Sequence, residues 1–87
     1  MGYQIEITRS ALESIRQLPS PALSRELKHF IKEIAADPSA VEGHAYGHQL
    51  AGRFVDVGRQ RYYVAIVFSR SPRLQTITVL QVKAVAS

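Results

Sequence analysis

The stretch that most constrains this chain runs from Gly43 to Phe68, GHAYGHQLAGRFVDVGRQRYYVAIVF. Two histidines and three glycines open it. Two runs rich in Val, Ile, Tyr and Phe then flank Gly58-Arg59-Gln60, which reads as a tight turn. The expected structure is a β-hairpin with Arg53, Arg59 and Arg61 near its tip. Three guanidiniums on one rigid hairpin repel each other unless something anionic sits among them. The plainer alternative is a solvated hairpin whose charges only blunt an edge strand.

Size limits what the rest can do. The 87 residues make a single domain, 1–87, able to bury only about 60–65% of the surface its unfolded chain exposes. Nearly every apolar residue must therefore enter the core. With no cysteine, neither a disulfide nor a Cys-based zinc site can staple the fold. No apolar run approaches the ~20 residues of a membrane span, and Met1-Gly2-Tyr3 leads directly into an alternating segment. A soluble cytoplasmic domain is the expectation.

Charge is divided unevenly along the chain. Residues 1–42 hold five Lys/Arg against six acids, a net of −1, whereas residues 43–87 hold six Lys/Arg against Asp56 alone, a net of +5. That asymmetry points to an anionic partner for the second half, nucleic acid first.

Tyr3, Ile5 and Ile7 alternate with Gln4, Glu6 and Thr8, the period-two pattern of a half-buried strand. Ser10-Ala-Leu-Glu13 then reads as a capping box. Leu12, Ile15 and Leu18 fall on one helical face, and Pro19 stops that helix. Ser20-Pro21 restarts one, serine as N-cap and proline at the first helical position. Leu23, Leu27, Phe30, Ile31 and Ile34 form its apolar stripe, and Asp37-Pro38 ends it. Residues 39–49 are poor in apolar side chains and read as a loop. Strands are expected at Arg53–Val57, Arg61–Ser69 and Leu74–Val85, with a polar turn at 70–73. The order is β-α-α-β-β-β, an α+β fold with a helical hairpin on one face of a small, mostly antiparallel sheet. Alternation puts Tyr62, Val64, Ile66 and Phe68 toward the helices. It leaves Arg61, Tyr63, Ala65 and Val67 on the uncovered face.

The pattern Y-x-I-x-x-T-x-x-A-L-x-x-I-x-x-L-P from Tyr3, the Asp37-Pro38 pair, Leu50-Ala51-Gly52 and V-x-V-G-x-x-R-Y from Val55 together resemble the RelE/ParE superfamily of toxins. The resemblance spans Tyr3 to about Val82 and implies the same β-α-α-β-β-β order. It further implies the toxin of a type II toxin–antitoxin module, neutralised by a cognate antitoxin with which it forms a hetero-oligomer. RelE-like members are ribosome-dependent endoribonucleases that cut mRNA and inhibit translation. ParE-like members poison DNA gyrase without chemistry of their own, and an inactive relative that only binds antitoxin or RNA is a third possibility. Arg61 falls on the arginine that contacts the phosphate at the cut site in RelE-like nucleases. Lys83 lies near their late basic residue. Phe54 stands where many members have another arginine, Asp56 where a basic residue is common, and the usual Arg/His/Tyr ending is absent.

Cleavage of RNA without metal or cofactor needs the 2′-OH deprotonated, the phosphate's growing charge stabilised and the 5′-oxygen protonated. Arg61 suits the phosphate because a guanidinium fork matches two phosphate oxygens and stays charged. Arg53, Arg59 and Lys83 are further candidate cations. His48 is the first candidate base or acid and His44 the second, although both also read as plain polar loop residues. Tyr63 can stack on a base, or serve only as a half-buried sheet residue. His44-x-x-x-His48 has metal-binding spacing only on a helix, and Gly43 and Gly47 argue against one.

Overall fold

A computed structural model describes residues 2–38, 44–45 and 48–87, and for 44–45 the backbone only. The elements are β1 (Gln4–Ile7), α1 (Arg9–Arg16), α2 (Pro21–Ala36), β2 (His44–Ala45), β3 (His48–Val57), β4 (Gln60–Ser71) and β5 (Thr76–Ala86). The sheet order is β1-β5-β4-β3-β2. β1 runs parallel to β5, and every other neighbouring pair is antiparallel. The expected α+β architecture is therefore present, with a two-residue strand, β2, added at one edge.

α2 begins as its sequence dictates. The Ser20 hydroxyl accepts a hydrogen bond from the Leu23 amide at 3.2 Å, and Pro21 occupies the first turn. Leu23, Leu27, Phe30, Ile31 and Ile34 are all buried, as the stripe predicts. They pack on Val64, Ile66 and Phe68 of β4 and Ile77, Val79 and Val82 of β5. Tyr62 is half-buried against the same cluster. The other face is open, and Tyr63 is 41% exposed on it.

α1 departs from the expected cap. Thr8, not Ser10, is the N-cap: its hydroxyl accepts from the Ala11 amide at 3.2 Å and donates to the Leu80 carbonyl at 3.3 Å. The Thr8 amide also donates to Val79 O. Pairing with β5 thus fixes where the strand ends, and the helix starts at once. With the start moved two residues back, Ala11 and Ile15 become the buried pair. Leu12 is left 37% exposed, lining a groove of about 440 Å³ with Leu18, Pro21, Arg16 and Lys28.

β3 and β4 are longer than local composition suggests, whereas β5 starts at Thr76 rather than Leu74. β3 starts at His48, five residues before Arg53, because Gln49 to Gly52 pair in register with Phe68 to Ala65. Cross-strand pairing overrides the weak local signal there. The β3–β4 turn is the two-residue loop Gly58-Arg59, since Val57 pairs with Gln60. Gly58 takes a positive φ of 60°, which suits glycine at the first loop position of a tight hairpin. The next turn lies at 72–75 rather than 70–73. It is closed by the Gln75 side chain on Pro72 O at 2.7 Å, with Gln75 itself at φ 53°.

Leu27 is fully buried and Leu74 is 70% exposed, so the two leucines separate core from surface. Urea unfolding should show Leu27→Ala losing about 2–5 kcal/mol and Leu74→Ala staying within about 0.5 kcal/mol of wild type.

Candidate nucleic-acid interface

Alternation and register together define the open face as rows across three strands. Asp56 pairs with Arg61; Phe54 with Tyr63, and Tyr63 with Val85; Gly52 with Ala65, and Ala65 with Lys83; Leu50 with Val67, and Val67 with Gln81. Successive rows on one face lie roughly 6.6–6.8 Å apart. Phe54 and Val85 are 59% and 55% exposed, so the second row is an apolar strip in solvent. Its neighbours on either side carry the cations Arg61 and Lys83.

The aromatic pair is built, not incidental. Phe54 and Tyr63 meet edge to face, ring centroids 5.2 Å apart, a geometry the ring quadrupoles favour. Tyr63 lies down over Gly52: a Cβ there would collide with its hydroxyl and sit 2.6 Å from its Cζ. Arg61 in turn reaches over Phe54, its Cζ 5.6 Å from the ring centroid.

The three hairpin arginines do not converge on one site. Arg53, expected at the RNA surface, points to the helix face. There its Cζ stands 4.1 Å from the Phe30 ring centroid and it pairs with Glu33. Odd and even positions of β3 face opposite ways, which separates Arg53 from Arg61 across the sheet. Arg59 occupies the turn and carries no ion pair among the described residues. Arg61 donates from Nε to Asp56 Oδ1 at 2.8 Å and from Nη2 to Oδ2 at 3.3 Å. Those hydrogen bonds hold the Asp56 carboxyl below its ordinary value, outweighing slight desolvation, and raise the Arg61 guanidinium above its own. The anion expected among the arginines is thus internal, supplied by Glu33 and Asp56.

The histidines and Lys83 are spread along the sheet. His48 is exposed and sits in β3 rather than a loop, eight positions from Asp56. At about 3.3 Å per residue it stands roughly 26 Å from the Arg61 row, too far to serve the same phosphate. His44 lies in β2 opposite Gln49, and its side chain is outside the described residues. Gly43 and Gly47 are also outside them. His44 and His48 occupy antiparallel strands, so the helical spacing a metal pair needs does not arise. Lys83 is exposed, two rows from Arg61 and one strand over, with Tyr63 between them.

Three contributors escaped sequence reasoning: Asp56 as partner of Arg61, Gly52 as the seat of Tyr63, and Phe54 as the second ring. The signal for all three was the register. A two-residue loop at 58–59 places 56 opposite 61 and 54 opposite 63.

No family model matches the sequence, nor does any curated protein. Solved structures do match. A mutant of the E. coli toxin RelE in the free state superposes with TM-score 0.70 at 17% identity, covering 94% of this chain and 82% of that one. The RelBE2 toxin–antitoxin complex of Mycobacterium tuberculosis gives 0.70 at 15% identity, covering 100% and 95%. The intact E. coli RelBE complex gives 0.65 at 17%, covering 92% and 93%. The fold is that of RelE toxins. The RelE-like resemblance of the sequence motifs and the superposition therefore agree on architecture, at identities that speak to fold alone.

Two substitutions test how these parts divide. Gly52→Ala should leave the fold intact but lift Tyr63 off the sheet, shifting its ring NMR resonances and those of Phe54. Unchanged ring shifts would contradict the seating. Arg53→Ala should cost about 1 kcal/mol in thermal or urea unfolding, through the lost Phe30 and Glu33 contacts.

Proposed function

We propose that this chain is the toxin of a toxin–antitoxin pair and acts in the cytoplasm as a ribosome-dependent endoribonuclease on mRNA. The observation that carries the reading is the open sheet face, where an exposed Phe54–Tyr63–Val85 row runs between Arg61 and Lys83. Single-stranded RNA presents unstacked bases to aromatic side chains and phosphates to flanking cations.

In this reading Tyr63 and Phe54 hold a base, and Arg61 grips the adjacent phosphate with its fork. Cleavage moves a proton off the 2′-OH as its oxygen attacks phosphorus, breaks the P–O5′ bond, and delivers a proton to the departing 5′-oxygen. Arg61 and Lys83 offset the charge that grows on the phosphate oxygens. Lys83 follows one row beyond Tyr63 on the neighbouring strand, and solvent water takes the 2′-OH proton and supplies the one that leaves on the 5′-oxygen. Arg59 extends the positive surface at the turn, and His48 would meet a more distant part of the strand.

The partner that silences such a toxin is an antitoxin, as in the RelBE complexes of the same fold. A basic face and the groove lined by Leu12, Leu18, Arg16 and Lys28 suit an acidic, amphipathic segment that folds on binding. No helix of the described residues is long and apolar enough to cross a membrane.

One observation favours a second reading. Arg61 is already neutralised by Asp56, and His48 lies far from it, so among the described residues no acid–base pair gathers around one phosphate. A toxin that binds without cutting, such as a ParE-like gyrase poison, needs no such pair. Induced expression in a bacterial host, with translation, mRNA integrity and DNA supercoiling read in parallel, separates the two. The proposal expects a translation block with mRNA cuts at the ribosome. Arg61→Ala should reduce them by at least about 10²-fold without loss of folded protein. Intact mRNA with a DNA-damage response would support the poison instead, and no effect on either would leave a relative without toxic activity.

A further inference from the structure

We propose that Asp56 is a built-in competitor for phosphate: it occupies the guanidinium fork of Arg61 until an RNA phosphate displaces it. This rests on the open face being an RNA site and adds what tunes its affinity.

The pair is not needed to hold the fold. Asp56 and Arg61 stand opposite each other on strands already joined by the backbone ladder from Val57–Gln60 to Gln49–Phe68. Arg53 and Glu33 differ: they tie β3 to α2, with Phe30 between. Both Asp56 and Arg61 are well exposed, with side chains 63% and 58% accessible. Their exchange with a ligand therefore opens no core.

The geometry is that of a ligand mimic. Two N–H groups of the guanidinium donate to two carboxylate oxygens, at 2.8 and 3.3 Å, the same fork-to-fork arrangement a phosphate accepts. The Phe54 ring lies 5.6 Å below the guanidinium carbon, so Arg61 keeps a stacking surface whichever anion it holds. Asp56 is also the sole acid of residues 43–87, and it lies directly opposite Arg61, in the row next to the Phe54–Tyr63–Val85 strip. The two-residue turn at Gly58-Arg59 locks that register. Lys83 and Arg59 have no carboxylate partner among the described residues. Among the described residues the face therefore carries Lys83 unmasked and Arg61 masked, with Arg59 unmasked at the adjoining turn.

Masking has a measurable consequence. In the wild type, freeing Asp56 as Arg61 engages phosphate leaves the local charge balance unchanged, so Arg61 adds affinity without adding to counterion release. With Asp56→Asn the arginine counts as a full cation. Affinity for a single strand should then rise by about two- to fivefold at low salt, the scale of one exposed ion pair. The slope of log K against log salt should steepen by about 0.7.

The test uses a fluorescently labelled single-stranded RNA oligonucleotide of mixed sequence, titrated with full-length wild type, Asp56→Asn and Asp56→Glu from low to moderate salt. The Arg61 Nε–H NMR signal of the wild type is followed with and without RNA. Tighter, more salt-sensitive binding by Asp56→Asn, wild-type behaviour by Asp56→Glu, and an Arg61 Nε–H shift on adding RNA would together support the proposal. Wild-type RNA binding with an unmoved Arg61 signal, or with no gain in Asp56→Asn, would overturn it and leave the RNA reading standing. Failure of all three proteins to bind RNA would overturn both.

Discussion

Burial of Val64, Ile66 and Phe68 beneath α2 is the constraint on which the functional face depends. All three are fully inaccessible, and strand periodicity then sends Arg61, Tyr63, Ala65 and Val67 to the opposite side. A one-residue slip would invert every assignment and put Arg61 in the core. The hydrophobic pattern thus specifies the exposed surface as firmly as the hidden one. The two-residue turn carries the same register into β3, and antiparallel pairing carries it into β5.

Much of this was legible because the relevant signals are local and strong. The Ser20-Pro21 start of α2, its apolar stripe and the alternation of β4 each follow from a few neighbouring residues. The departures arise where long-range pairing decides. Thr8 caps α1 because β5 hydrogen-bonds it at that point. His48–Gly52 is strand because β4 offers a partner, although its own composition is that of a loop. Placing the turn one residue too broadly, over 58–60, hid the pairing of Asp56 with Arg61.

That hidden pair changes the electrostatic picture more than the fold. Composition alone suggests three crowded arginines awaiting an anion, yet Arg53 and Arg61 each hold a carboxylate, on opposite faces. The free positive charge of the hairpin is smaller than the sequence suggests. What remains is an aromatic strip on the open face with Arg61 masked and Lys83 unmasked, and Arg59 unmasked at the turn beside it, among the described residues; such a surface suits a flexible polyanion with exposed rings. The RelE fold supplies the scaffold, and the open face is the surface on which the proposed RNA contact rests.

The most direct test of the account is a side-chain NMR titration of the isotopically labelled protein with a short single-stranded RNA. Contact through the open face predicts that resonances of Phe54, Tyr63, Lys83 and Val85 shift together, while those of Phe30, Arg53 and Leu12 stay still. Shifts confined to the helical side, with the Phe54–Tyr63 row unmoved, would contradict it.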